Sequence, residues 1–172
     1  MRRRNYKRYK KARDSQKLKV YRFGWEIESL INDKIETEEE CIKFINKAHR
    51  WWYGDTQNKL AEVPVKFTNG SDGTSWYRPK NNTIYIKRYW GKHKETLLHE
   101  LTHYIIGRST RKEFRCDATH GKIFMRIFAT LLARFTELSM REIKAIAKKN
   151  KAKMCGLKDS NGKNIRRKLK QS

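Results

Sequence analysis

The most informative chemistry in this chain lies in "HELTH", residues 99–103, where two histidines are four residues apart and a glutamate follows the first. Four residues advance an α-helix by about 6 Å and about 40°, so His99 and His103 would project from one stripe and could bind one ion. Imidazole nitrogens are the usual ligands of catalytic zinc. Glu100 would flank the ion without binding it, where its carboxylate can accept a proton from a water on the metal. The motif therefore predicts a Zn²⁺ site with Glu100 as the catalytic base.

A catalytic zinc usually has three protein ligands and one open position, so a third ligand is needed. His120 begins a second apolar segment, "HGKIFMRIFATLLARF", and we expect it to be that ligand. Asp117 is an alternative ligand, although its position before this segment suits an N-cap, and it could also orient an imidazole from outside the ligand shell. Glu113 is a weaker candidate. The other two histidines, His49 and His93, are less well placed.

The predicted ligands require two helices to position them. Apolar residues recur at helical spacing between Lys94 and Ile106, and Gly107 is predicted to end that helix at its C′ position. The segment after His120 has the pattern of a second core helix. Ser139 and Glu142 form a capping-box pattern that opens a short helix running to about residue 150.

The remaining elements predict an α+β fold. Thr37 can cap a helix that Gly54 ends, and we expect the aromatic run 51–53 at the end of this helix to pack in the core. Between residues 63 and 90, β-branched and aromatic runs alternate with turn residues. We expect a small antiparallel three-stranded sheet packed on helices, with Ile84 and Ile86 pointing the same way.

The charge is concentrated at the two ends of the chain. The formal net charge is +24, yet residues 1–22 and 144–172 each contain 11 Lys and Arg and one acidic residue, which leaves only +4 for residues 23–143. We therefore expect a basic N-terminal arm (1–22), a folded domain (23–143), and the basic end of a helix followed by a tail (144–172), with both tails disordered. Such tails attract polyanions by counterion release, and nucleic acid is the predicted partner.

Cysteine usage and hydropathy bear on the compartment. Cys41, Cys116 and Cys155 are odd in number and widely spaced, which is typical of reduced thiols and not of a disulfide framework. The basic N-terminus has no apolar run after it, so it does not read as a secretory signal, and no segment is long and apolar enough to cross a bilayer. We expect an intracellular protein, in the cytoplasm or associated with the nucleoid or nucleus.

Two stretches together resemble a known family. "ETLLHELTHYIIG", followed by "THGKIFMRIF", is similar to the SprT-like zinc metallopeptidases, which include the Spartan-type proteases of DNA–protein crosslink repair. The family pattern is an H-E-x-x-H helix and a third histidine in H-G-x-x-F, which matches His99, Glu100, His103, His120 and Phe124. The resemblance covers roughly residues 37–136. It implies a zincin-like core and peptide-bond hydrolysis at a single zinc, with DNA-dependent action in the Spartan branch, although this chain has too few cysteines for a C-terminal zinc-binding module.

These features give two main hypotheses of function. The first is a zinc endopeptidase recruited to nucleic acid by its tails. The second is a basic nucleic-acid-binding, virion or other structural protein, such as a phage component, in which zinc only stabilises the fold. A structural zinc has no use for the carboxylate of Glu100 and normally has four protein ligands, so the sequence favours the first. An inactive zincin that acts as a regulator is a third hypothesis.

Overall fold

A computed structural model of the chain describes residues 14–31, 33–55, 57, 59–69, 74–109 and 119–156. This part of the chain contains five α-helices and three β-strands, and it confirms the α+β class. In chain order the elements are α1 (Lys17–Ile31), α2 (Glu38–Tyr53), β1 (Val65–Thr68), β2 (Trp76–Arg78), β3 (Thr83–Lys87), α3 (Lys94–Arg108), α4 (Lys122–Phe135) and α5 (Met140–Lys149). None of these helices is long and apolar enough to cross a membrane.

Two helices begin at capping boxes, which confirms the cap predicted at Thr37 and the capping box predicted at Ser139 and Glu142. The Thr37 hydroxyl accepts a hydrogen bond from the Glu40 amide at the start of α2, and Ser139 and Glu142 repeat this arrangement at the start of α5. Gly54 ends α2 in the left-handed conformation, with φ of 69°. Trp52, near the end of α2, is buried, and its neighbours at 51 and 53 pack against the core. The predicted core role of this aromatic run is thus confirmed.

Helix α1 was not predicted, and its first six residues fall within the predicted N-terminal arm (1–22). Val20, Phe23 and Ile27 lie on one face of this helix and are fully buried. The basic residues that made the segment look like an arm occupy its other positions. The boundary predicted at residue 22 falls inside this helix. Residues 1–13 and 157–172, which hold most of the predicted tails, lie outside the described residues.

The sheet is mixed, and the prediction of an antiparallel sheet was wrong. Strand β3 lies in the centre, parallel to β1 and antiparallel to β2. A tight turn, with Asn82 at φ of 51°, joins β2 and β3 as a hairpin, whereas the longer connection from β1 carries the chain to the far side of β3. Ile84 and Ile86 are fully buried on one face of β3, as predicted.

Helix α3 is the centre of the packing. It contacts α1, α2, α4 and the two strands β2 and β3. Leu97, Leu98 and Leu101 are fully buried in these contacts, and Phe23 of α1 meets Phe128 of α4 edge to face. The helix that carries the "HELTH" motif is therefore held on every side, which fixes the direction of its polar side chains.

Gly107 does not end α3, and its predicted role at the C′ position was wrong. The helix continues to Arg108 and Ser109 is its C-cap. A Cβ atom at position 107 would lie 2.6 Å from the Tyr77 ring and hydroxyl, so glycine is required here for the close approach of β2 to α3. Glycine at position 107 does have a structural role, but the role is to allow close packing against Tyr77 and not to end the helix.

This contact predicts the effect of Gly107→Ala. We expect a loss of about 1–3 kcal/mol in the free energy of unfolding, since the added methyl group overpacks the Tyr77 contact. In a Tyr77→Ala background the same substitution should be neutral, or stabilising by up to about 1 kcal/mol, because alanine favours helix. Urea denaturation of the four proteins measures this. An equal loss in both backgrounds would contradict the packing explanation.

His49 is a buried histidine on α2, away from the metal-binding motif. Its ring lies edge-on to Tyr53 and Tyr104, with centroid distances of 5.1 and 5.4 Å. Burial, together with Arg108 and Arg50, lowers the pKa of His49 from 6.5 to about 4. The folded protein therefore holds this imidazole neutral at pH values where the unfolded chain protonates it.

The low pKa of His49 predicts a pH dependence of stability. Because the folded-state pKa lies below the unfolded value, the unfolded chain binds the extra proton, and stability falls as pH decreases from about 6.5 towards 4. Between pH 7.5 and pH 5 the wild type should lose about 2 kcal/mol more than His49→Leu. Chemical denaturation of both proteins at the two pH values tests this, and parallel stability curves would show that His49 is not the cause.

Candidate metal centre

The structure brings His99, His103 and His120 together at the junction of α3 and α4. One nitrogen from each ring lies within 4.8 Å of the other two, and these residues are the only His, Cys, Asp or Glu group placed to hold a metal among the described residues. The i, i+4 spacing on α3 aligns His99 and His103, whereas His120 precedes the first residue of α4. The contact between α3 and α4 is what closes the cluster.

The spacing of the nitrogens suits a small tetrahedral ion. The Nε2 atoms of His99 and His103 are 3.2 Å apart. Two nitrogens at zinc-ligand distance in a tetrahedral site would be about 3.3 Å apart. Burial, and the neighbouring His120, lower the pKa of His99 to about 3, so its imidazole is in the neutral form that binds metals. The donor set therefore fits a zinc ion, and the described residues include no fourth protein ligand beside it.

Asp14 is the residue of this site that the sequence prediction missed. Its Oδ2 atom lies 2.7 Å from Nδ1 of His120. With Nδ1 donating to this carboxylate, Nε2 of His120 is the nitrogen with a lone pair for the cluster. One signal was present in the sequence, because Asp14 is the only acidic residue among the first 22. Asp117, which the sequence suggested as an alternative ligand or as a residue that orients an imidazole, lies outside the described residues. Glu113, the weaker ligand candidate, also lies outside them.

Gln16 fixes the segment that carries Asp14. Its side-chain amide donates to the carbonyl oxygens of His120 and Lys153, at 3.3 and 3.2 Å, and its carbonyl accepts a hydrogen bond from the Lys153 amide. The chain before α1 is thus held against both the loop that presents His120 and the segment after α5. This contact explains how a residue so early in the sequence reaches the metal centre.

Aromatic rings form the walls around the histidines. Tyr21 of α1 stacks on His99 with an interplanar angle of 13°, and its centroid is 5.3 Å from that of His120. Phe124 of α4 lies against all three imidazoles, with centroid distances of 4.6 to 5.0 Å. These contacts limit rotation of the ligand rings, so the cluster is preorganised. Tyr21 also fell within the predicted arm and was missed.

Glu100 is buried beside the cluster, where the sequence predicted the catalytic base. It is only 5% exposed, and its Oε2 atom has no hydrogen-bond partner among the described residues. Burial and the nearby carboxylate of Glu95 raise the pKa of Glu100 well above its usual value, while the Tyr77 backbone hydrogen-bonds to it. A carboxylate with a high proton affinity and a free oxygen is suited to accept a proton.

A cleft of about 390 Å³ opens in front of the cluster. Its walls include Glu100, His103 and His120 on one side and Trp76 and Tyr77 of β2 on the other. An extended chain could therefore enter between β2 and the metal centre.

The two histidines that the sequence ranked lower as ligands lie elsewhere. The ring of His49 packs against Tyr104, and Nε2 of His93 lies 3.7 Å from Oε1 of Glu28.

Comparisons with known proteins add no assignment. A scan against protein-family models, a search of curated proteins and a search of solved structures each found no match.

The hydrogen bond between Asp14 and His120 predicts a test of metal binding. Asp14→Asn should weaken zinc binding by about 10-fold to 100-fold, because the amide no longer favours the Nδ1–H tautomer or raises the basicity of His120. Competition with a chromophoric chelator measures the affinity. Glu26→Gln is the matched control. It removes a carboxylate of α1 that pairs with Lys149 of α5, and it should bind zinc normally. Unchanged affinity in Asp14→Asn would remove this residue from the site.

Proposed function

We propose that this protein is a zinc-dependent endopeptidase of the SprT-like type. The observation that carries the proposal is the buried carboxylate of Glu100 next to three converging imidazoles, in a cleft lined on its other side by a β-strand. Three protein nitrogens leave one position of a tetrahedral zinc for water, as catalytic sites require. A site that only stabilised the fold would have no use for such a carboxylate.

The chain's own residues have distinct tasks in this reaction. Zinc, when bound, supplies a Lewis acid that lowers the pKa of water and polarises a carbonyl. Glu100 removes a proton from the attacking water onto its carboxylate and then delivers it to the leaving amine. Asp14 orients His120 through Nδ1, and Tyr21 holds the ring plane of His99. The backbone hydrogen bond from Tyr77 fixes the direction of the Glu100 carboxylate.

We further propose that the substrates are proteins associated with nucleic acid. Net charge supports this, since residues 1–22 and 144–172 together carry a net charge of +20 out of the +24 of the whole chain. Polyanion binding by such segments raises the local concentration of the enzyme on its template. The unbridged, buried thiol of Cys41 suits a reducing compartment, and we propose that the protein acts inside the cell.

Glu100→Gln is the sharpest test of the activity. The substitution preserves size and removes the proton acceptor, so hydrolysis should fall by about 10²-fold to 10⁴-fold while zinc remains bound at one ion per chain. The assay is cleavage of a disordered protein such as casein, with and without single-stranded DNA, alongside metal analysis.

The control for that assay is Glu39→Gln, an equivalent change at an exposed position of α2, which should retain full activity. Undiminished proteolysis by Glu100→Gln would refute the assigned role of this carboxylate. Zinc binding without hydrolysis of any protein by the wild type would favour a structural or regulatory role for the metal.

A further inference from the structure

The outer face of the sheet carries a group of aromatic and basic side chains that the proposed reaction does not use. Strand register places Lys66, Tyr85 and Trp76 in one row across β1, β3 and β2. Arg78 and Lys87 are two residues along from this row on their strands, and therefore share its face. We call these five residues the aromatic–basic face. The opposite face of β3 holds Ile84 and Ile86, which are buried in the core.

A stacked aromatic pair forms the centre of this face. The rings of Trp76 and Tyr85 are 5.0 Å apart and almost parallel, with an interplanar angle of 3°. Trp76 remains 39% exposed, and Nζ of Lys87 lies 5.7 Å from its ring. Asn81 and Arg78 hold the Tyr85 hydroxyl by hydrogen bonds. The pair is thus fixed in position while more than a third of the Trp76 side chain stays exposed to solvent.

The charge around the pair has one sign. The described residues 65–69 and 74–92 include six basic residues and no Asp or Glu; the basic residues are Lys66, Arg78, Lys80, Lys87, Arg88 and Lys92. Arg88 pairs with Glu38, and Lys92 donates to the Glu36 carbonyl oxygen. Lys66 and Arg78 are exposed on either side of the aromatic row. An exposed aromatic surface between cations is complementary to a base and its flanking phosphates.

We propose that the aromatic–basic face binds single-stranded nucleic acid. A base stacks on the open surface of Trp76, and Lys66 and Arg78 contact the phosphates on either side. Single strands fit because their bases expose a π-face, whereas a duplex buries its base faces within the stack. Stacking is tolerant of sequence, so we expect little base preference.

The position of Trp76 links this surface to the catalytic cleft. Trp76 lines the cleft that contains Glu100 and His103. The backbone of its neighbour, Tyr77, hydrogen-bonds to the Glu100 carboxylate. A single-stranded nucleic acid bound to the aromatic–basic face would therefore lie at the rim of the metal centre. Any effect of this binding on peptide hydrolysis rests on the proposed function, whereas the nucleic-acid binding itself does not.

The experiment must separate base stacking from the charge of the tails. Fluorescence anisotropy with the full chain compares a short labelled oligodeoxythymidylate with an abasic strand of equal length, over a range of salt. The wild type should prefer the strand with bases by about five-fold to a hundred-fold, and this preference should persist as salt weakens both affinities. Trp76→Leu keeps apolar volume, removes the π-face, and should abolish the preference.

Trp25→Ala is the control, since Trp25 is 65% exposed on α1, and it should keep the preference. Lys66→Glu, which leaves the hydrogen bonds of the Tyr85 hydroxyl in place, should weaken binding of both nucleic acids and reduce the salt slope. Thermal unfolding verifies that each variant is folded. A preference that survives in Trp76→Leu, or is absent from the wild type, would overturn the proposal.

Hydrolysis provides an independent readout. If Trp76→Leu leaves nucleic-acid binding intact and raises KM for a protein substrate, the face is a substrate subsite and the proposal is wrong. If the wild type shows no proteolysis but prefers the strand with bases, the binding surface stands and the proposed enzyme activity fails. The two outcomes are distinguishable because binding is measured without turnover.

Discussion

The burial of polar side chains on α3 is the constraint on which the rest of the structure depends. Glu95, His99, Glu100 and Thr102 are all nearly or fully inaccessible to solvent. Burying such groups without partners would cost several kcal/mol. The neighbouring elements supply partners or space: Tyr21 stacks on His99, the glycine at position 24 leaves room for the Glu95 carboxylate, and the backbone of β2 reaches Glu100. The fold is therefore organised around accommodating this helix.

This arrangement couples metal binding to folding. The three histidines come from two helices, and Asp14 comes from a segment that precedes the first. An ion that binds all three imidazoles favours the folded chain over the unfolded one, because the unfolded chain does not hold the ligands together. The burial that keeps His99 neutral also leaves its nitrogen ready for the metal, so the same low-polarity surroundings serve both stability and binding.

Features set by local sequence were predicted better than features that depend on contacts between distant residues. The capping boxes at Thr37 and Ser139 fixed two helix starts, and the i, i+4 spacing in "HELTH" correctly placed its side chains on one stripe. The direction of β1 relative to β3 was predicted wrongly, because strand pairing depends on where a long connection leads the chain. Helix α1 was missed because its first turns contain three of the basic residues that made this segment look like an arm. The Asp14 contact joins residues 106 positions apart, and no local pattern encodes such a bond.

The hydrogen bonds of Gln16 have a consequence for the synthesis of the chain. Gln16 binds Lys153, which is 137 residues later, and Asp14 binds His120. Both residues of the early segment leave the ribosome long before their partners exist, and loop closure over such distances is slow. Until Lys153 has been added, the two hydrogen bonds between Gln16 and Lys153 cannot form. The metal centre thus reaches its full hydrogen-bonded form only after nearly the whole described chain has been translated.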